Sequence, residues 1–337
     1  MKQVVATALV LLLLLFLLPV LLITPVPQED AAPTGTLPLE HPVVSPSPTA
    51  GADADTLVQV ALEDGSVSTL SMEEYLWRVV AAEMPVSFEL EALKAQAVAA
   101  RTYTVAKMSH TVANHPNAQV CTDITCCQAY ITRQEAQDNW GDRAQAYTEK
   151  IAQAVADTDG MILTYQGQPI QAVFFSSTAG KTVDAVEVWG SDVPYLTGVD
   201  SPEGEEVPNY HSTVELSLSE FRSTLLAEYP DMVLEGDPAG WLGEVTYNSA
   251  NGVSGMIIGG VSVGGSALRA LFNLRSTHFT LTLNSQQASF AVTGYGHGVG
   301  MSQYGANAMA RQGKTWEDIV TWYYTRVEIT PMAVPEG

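Results

Sequence analysis

The stretch Ser71-Met72-Glu73-Glu74-Tyr75-Leu76-Trp77-Arg78-Val79-Val80-Ala81-Ala82-Glu83-Met84-Pro85 organises the reading of this chain. Ser71 and Glu74 stand at the S-x-x-E spacing of a capping box, which satisfies the first free N–H groups of a helix. Tyr75, Leu76, Val79 and Val80 then recur at helical spacing, and Pro85, with no N–H to donate, stops the helix. Glu83 falls in the last turn, at the negative end of the helix dipole, among apolar or small neighbours. Burial and the dipole both disfavour a carboxylate there and raise its pKa. A carboxyl that stays protonated near neutral pH is what a general acid requires. The other reading is a capping or salt-bridged Glu at a helix end.

Upstream, the alternation Leu57, Gln59, Val60, Ala61, Leu62 followed by Asp64-Gly65 predicts a strand and a turn, so folding is expected to begin near Thr56. Downstream, a longer helix is predicted from about 89 to 108, with Leu90, Leu93, Ala97, Ala100 and Val105 available for burial, and another over 143–156. From Met161 the texture changes: residues 161–165, a Gln-Gly turn and 170–175 predict a hairpin. Strands are expected at 243–247, 255–258 and 280–283, and helices at Gln303–Arg311 and Trp316–Tyr323. Helices and strands are partly segregated, which is the α+β class.

The 337 residues carry 15 Lys plus Arg against 37 Asp plus Glu, a net charge of −22. That length suits one large or two ordinary domains. Without a basic cluster the chain is not built to bind nucleic acid, which needs cations to displace phosphate counterions. Hydrophobic residues make up 46%, with no heptad or Gly-X-Y repeat, so coiled-coil, collagen-like and wholly disordered chains are excluded.

From Val4 to Ile23 there is no charge, a run long enough for about 30 Å of helix, the thickness of a bilayer core. Residues 1–24 are therefore read as a transmembrane anchor, with a signal peptide cleaved nearer Ala31-Ala32 as the alternative. Lys2 on one side and Glu29 and Asp30 on the other leave the N-terminus cytoplasmic and the rest outside. Residues 25–55, with seven prolines among Thr, Ser, Ala and Gly, read as a disordered linker, and 56–337 as the working domain.

The three cysteines, Cys121, Cys126 and Cys127, follow His110 and His115. An exported chain favours a disulfide from Cys121 to Cys126 or Cys127, leaving one thiol free. The competing reading is a closed Cys₃His zinc site of His115, Cys121, Cys126 and Cys127. Near the other end, Gly294-Tyr295-Gly296-His297-Gly298-Val299-Gly300-Met301-Ser302-Gln303-Tyr304-Gly305 is either a glycine-lined packing turn or a loop that turns His297 to a groove. Gly260-Val261-Ser262-Val263-Gly264 matches a nucleophile elbow, but no acid lies between Ser262 and His297, so a hydrolase triad in that order fails. No HExxH is present.

Over about 56–330 these segments resemble the stage II sporulation protein D family, membrane-anchored lytic transglycosylases of endospore-forming bacteria. The resemblance is carried by Glu74-Tyr75-Leu76 with Val79 to Pro85, by Glu91 to Tyr103, by Phe174 to Gly180, by Pro194-Tyr195-Leu196, by Leu274-Arg275-Ser276 and by the stretch from Gly296 to Ala306.

The resemblance implies cleavage of the MurNAc-β-1,4-GlcNAc bond of peptide-stripped glycan strands, leaving 1,6-anhydroMurNAc ends, during the engulfment stage of sporulation. Such an enzyme is a carbon–oxygen lyase with Glu83 as its acid and base. It also implies a structural Zn²⁺ on His115, Cys121, Cys126 and Cys127, with Cys126 standing where His is common. Stripped strands expose lactyl carboxylates, for which Arg101 is the first candidate cation and Arg275 the second. Tyr103, Ser176, Thr178, Tyr195, Ser276, His297 and Gln303 are the other candidate substrate contacts. The expected partners are the glycan, a wall amidase/endopeptidase of the stage II sporulation protein P type and a membrane scaffold of the stage II sporulation protein M type. The expected location is the septal membrane between mother cell and forespore, with the domain extracytoplasmic. The alternative is a wall-binding or amidase-activating protein of the same superfamily.

Overall fold

The computed structural model describes residues 51–108 and 114–333. The anchor expected over 1–24, the linker up to residue 50 and His110 lie outside the described residues. Among the described residues no helix is long and apolar enough to cross a membrane.

Ahead of Thr56, where folding was expected to begin, lies a single helical turn, α1 (Ala52–Asp55). The reason is electrostatic. Asp53, 2% exposed, accepts from Arg101 Nε at 2.7 Å and Nη2 at 2.5 Å, which pins this segment to the interior. The last five residues assigned to the linker therefore belong to the domain.

Strands β1 (Leu57–Ala61) and β2 (Val67–Ser71) form an antiparallel hairpin that leads directly into α2 (Met72–Glu83). Ser71 caps this helix by accepting from Glu74 N. Glu74 does not close the box; its carboxylate is held instead by Arg78 at 2.8 Å and Arg133 at 2.5 Å. The long α3 (Leu90–Met108) follows. Its alanines have little side chain to keep neighbours apart, so it lies at the centre of the first lobe. Ala92, Ala95, Ala97, Ala99 and Ala100 are all fully enclosed.

β3 (Val120–Cys121) packs on α3, parallel to β1; α4 (Arg133–Trp140) packs on α2 and on the next helix; that helix, α5 (Ala144–Ala156), and β4 (Met161–Tyr165) pack on α3. The hairpin expected after Met161 is cut short: β5 (Gln168–Pro169) pairs with β4 for two residues only. The chain then leaves, and β6 (Phe174–Phe175) pairs elsewhere; α6 (Ala185–Trp189) follows.

Residues 211–293 build a second lobe with its own core. Its elements are β7 (His211–Ser217), α7 (Leu218–Glu228), β8 (Leu242–Tyr247), β9 (Val253–Ile258), β10 (Val261–Gly264), α8 (Gly265–Leu271), β11 (Phe279–Leu283) and β12 (Gln287–Thr293). Two three-stranded antiparallel sheets, β10-β9-β8 and β11-β12-β7, enclose the rings of Phe221, Phe272 and Phe290. Ser262 lies exposed within β10 opposite Ile257, not on a strand-to-helix elbow, in agreement with rejecting the triad.

The chain then returns to the first lobe. Strand β13 (Met301–Ser302) pairs in parallel with β6, and α9 (Gln303–Arg311), α10 (Trp316–Tyr323) and β14 (Glu328–Pro331), antiparallel to β4, close the fold. The mixed α+β class is as expected, with each lobe holding both kinds of element.

Candidate active site

The return of the chain brings Gln303, the first residue of α9, against Glu83, the last of α2. Gln303 Nε2 donates to Glu83 Oε2 at 3.4 Å, and the backbone N–H of Ala129 donates to Oε1 at 2.6 Å. Burial raises the Glu83 pKa, and these two donors oppose the rise only in part. The carboxyl is thus biased toward the protonated form and has neutral groups as its hydrogen-bond partners. Such a group can give up a proton and take one back.

Two polar residues behind this pair escaped the sequence reading. Gln96 on α3 is fully buried; its Oε1 accepts from Gln303 at 3.4 Å and its Nε2 has no partner among the described residues. By accepting from the same amide, it turns the NH₂ end of Gln303 toward Glu83. Glu203, 5% exposed, accepts from Thr178 N, from Ser201 Oγ and from Ser302 Oγ, while Ser302 caps α9 by accepting from Gly305 N. Gly305 is required there, because a Cβ would lie 2.1 Å from the Tyr323 hydroxyl oxygen. A single Gln in an Ala-rich helix, and one of three Glu in the loop 203–206, carry no spacing signal.

The expected substrate contacts separate into groups. Only Gln303 touches Glu83. Arg101 is a correction: it is fully enclosed, its guanidinium also donates to the Met161 carbonyl at 3.0 Å, and it cannot meet a ligand. Thr178 is likewise buried, its Oγ1 accepting from Gly180 N, and buried Ser276 donates to the Thr293 carbonyl. Tyr195 accepts from Gln171 N and packs on Tyr165, while Tyr103 donates to the Cys126 carbonyl. Ser176 gives its carbonyl to Tyr304 N and Ser302 Oγ. Arg275 is half-buried, stacks on exposed Tyr295 and donates to the Asn209 carbonyl. None of these has a hydrogen bond to Glu83.

His297 is held between Phe175 and Trp189, its Nδ1 accepting from Val299 N. Burial, reinforced by the charge of Arg269, lowers its pKa to about 4. The flanking glycines serve packing: a Cβ on Gly296 would lie 2.5 Å from Phe175 Cβ, and one on Gly300 2.2 Å from the Val173 carbonyl oxygen.

The ligand atoms of His115, Cys121, Cys126 and Cys127 lie within 4.8 Å of one another, and all three cysteines are free thiols. Cys127 Sγ is 3.9 Å from Cys126 Sγ and 3.5 Å from His115 Nε2. Tetrahedral coordination at about 2.1–2.3 Å from a metal separates ligand atoms by about 3.5–3.8 Å. His115 Nδ1 lies 2.9 Å from the Ala118 carbonyl, which fixes the tautomer that offers Nε2 as a ligand. Burial pushes the Cys121 and Cys127 thiols above their ordinary range, a cost that a central cation would offset. The residues present therefore fit a four-coordinate metal, and four protein ligands leave no open position.

A family model described as stage II sporulation protein matches residues 63–165, which span Glu83 and the Cys/His cluster. The stage II sporulation protein D of Bacillus subtilis (strain 168) is 38% identical over 98% of this chain and 96% of its own length. The chain belongs to the stage II sporulation protein D family. Its counterpart from Bacillus amyloliquefaciens is 37% identical over the same shares of both chains. A more distant relative, the amidase enhancer of B. subtilis, is 29% identical over 75% of this chain but only 40% of its own length.

Proposed function

We propose that this family member is a lytic transglycosylase acting on peptide-stripped glycan strands in the wall remodelling of sporulation. The supporting observation is the Glu83 carboxyl, held by two neutral donors and biased by burial toward its protonated form. Protonated Glu83 gives its proton to the glycosidic oxygen as the C1–O bond of MurNAc breaks. The C6 hydroxyl of the same sugar then closes onto C1, and its proton returns to Glu83. The nucleophile belongs to the substrate, so this route does not need the second carboxylate that most glycosidases use.

The metal assigned to the cluster is Zn²⁺, with a structural role that follows from its four protein ligands. Anchoring by residues 1–24, an extracytoplasmic domain at the septal membrane, and work beside a wall amidase/endopeptidase and a membrane scaffold belong to the same proposal. A second reading, activation of an amidase without cleavage, is favoured by the similarity to the amidase enhancer. Digestion of peptide-free strands by wild type and Glu83→Gln, with products weighed by mass spectrometry, separates the two. Anhydro ends from wild type alone support the transglycosylase, and intact strands from both support the activator.

A further inference from the structure

A cavity of about 260 Å³ lies between the turn that follows α2 and α9, the helix that Gln303 begins. It lies slightly below the ~300–1,000 Å³ of pockets for drug-sized ligands, a size suited to one sugar ring. One wall is the turn through Pro85 and Phe88, which begins two residues after Glu83. The facing wall is α9, whose residues Tyr304, Asn307, Ala308 and Arg311 fall at i, i+3, i+4 and i+7 on one helix face. Glu206 stands on the rim.

The cavity is built to receive a polar ligand. Tyr304 is held edge-to-face by Phe88, with ring centroids 4.9 Å apart. Asn307 is 3% exposed; its Oδ1 accepts from Glu89 N at 2.8 Å, so the amide cannot flip, and Nδ2 has no partner among the described residues. Arg311 is exposed and makes no ion pair among the described residues, Glu206 included. A fixed aromatic ring, an amide N–H donor not spent on the described residues and an unpaired guanidinium within two turns of helix match an amino sugar bearing one carboxylate. On a chain of net charge −22, an anionic polymer needs such a local cation.

Resting on the transglycosylase reading, we propose that this cavity is a saccharide subsite for a unit with a free carboxylate. Arg311 recognises that carboxylate, Asn307 Nδ2 donates to the sugar and Glu206 accepts from its hydroxyls. Arg311 takes the part that buried Arg101 cannot.

The test is titration calorimetry on the full chain carrying Glu83→Gln, with and without Arg311→Gln. The probes are peptide-free glycan strands and the same strands with their carboxyl groups methyl-esterified. Free-acid strands are expected to bind about tenfold more weakly once Arg311 is changed, with esterified strands unaffected. Arg311→Lys should recover part of the loss, since it restores the charge without the planar fork. Equal effects on both probes, no effect on either, or no binding to either overturn the subsite. Cleavage by the wild type is scored separately. If strands stay intact while Arg311 still sets the preference, the transglycosylase reading fails and the subsite survives. If strands are cut but Arg311 is indifferent to the ester, the subsite alone fails.

Discussion

The backbone N–H of Ala129 donates to Glu83 Oε1 at 2.6 Å, and Ala129 lies two residues beyond Cys127. The Cys/His cluster therefore fixes the strap whose amide orients the carboxyl. Between them, Gln128 is itself buried and donates to Tyr75 Oη and Thr104 Oγ1. The Cys/His cluster, the strap and the Glu83 carboxyl thus form one connected unit.

Metal removal should follow from that unit. Chelation, or Cys127→Ser, is expected to lower the melting temperature and to abolish cleavage together, with one zinc per chain in the untreated protein by elemental analysis. Lost activity at an unchanged melting temperature would contradict a structural metal.

The raised pKa of Glu83 gives a pH dependence of defined sign. Activity should decline as pH rises through that value, because the acid form is consumed. Stability follows the same direction: the folded-state pKa is above the unfolded one, so holding Glu83 folded costs more as pH rises through it. Glu83→Gln should thus be inactive, yet at least as stable as wild type at neutral pH. The difference should vanish below the ordinary value of 4.5. Thermal melts across pH check this.

His297 titrates with the opposite sign. Its folded pKa of about 4 is below the unfolded 6.5, so its contribution is complete above 6.5 and is lost as pH falls toward 4. The loss is at most about 3.5 kcal/mol. His297→Gln should flatten this part of the stability profile relative to wild type, as read by denaturant titration.

The Arg101–Asp53 pair is buried on both sides, with side chains 0% and 3% exposed. Removing one partner strands the other charge, so Asp53→Ala or Arg101→Ala should cost about 3–5 kcal/mol. Truncation at Thr56 should be destabilising for the same reason.

What the sequence made legible was local. The cap at Ser71, the apolar period of α2 and the stop at Pro85 act within a few residues, and each is visible in order. Arg101 and Asp53 are 48 residues apart with no periodicity to link them, so a buried clamp passed for a substrate cation and its partner for linker. The four candidate metal ligands were visible as a set, but the choice between disulfide and metal rests on where the sulfurs converge. Gln96 and Glu203 are hidden for a related reason: Gln303 reaches the first, and Thr178 and Ser302 the second, from distant segments. The pairing of β6 with β13, which brings Gln303 to Glu83, joins residues more than a hundred positions apart.

The most direct test of the account is the fate of solvent oxygen during cleavage. Peptide-free strands would be digested by the full chain in ¹⁸O-labelled water, and the new muramic ends examined by mass spectrometry. Attack by the C6 hydroxyl leaves anhydro ends, lighter than hydrolysed ends by one water and free of label, and Glu83→Gln should yield none. Labelled reducing ends would mean that water, not the C6 hydroxyl, attacks C1, and would contradict the role given to Glu83.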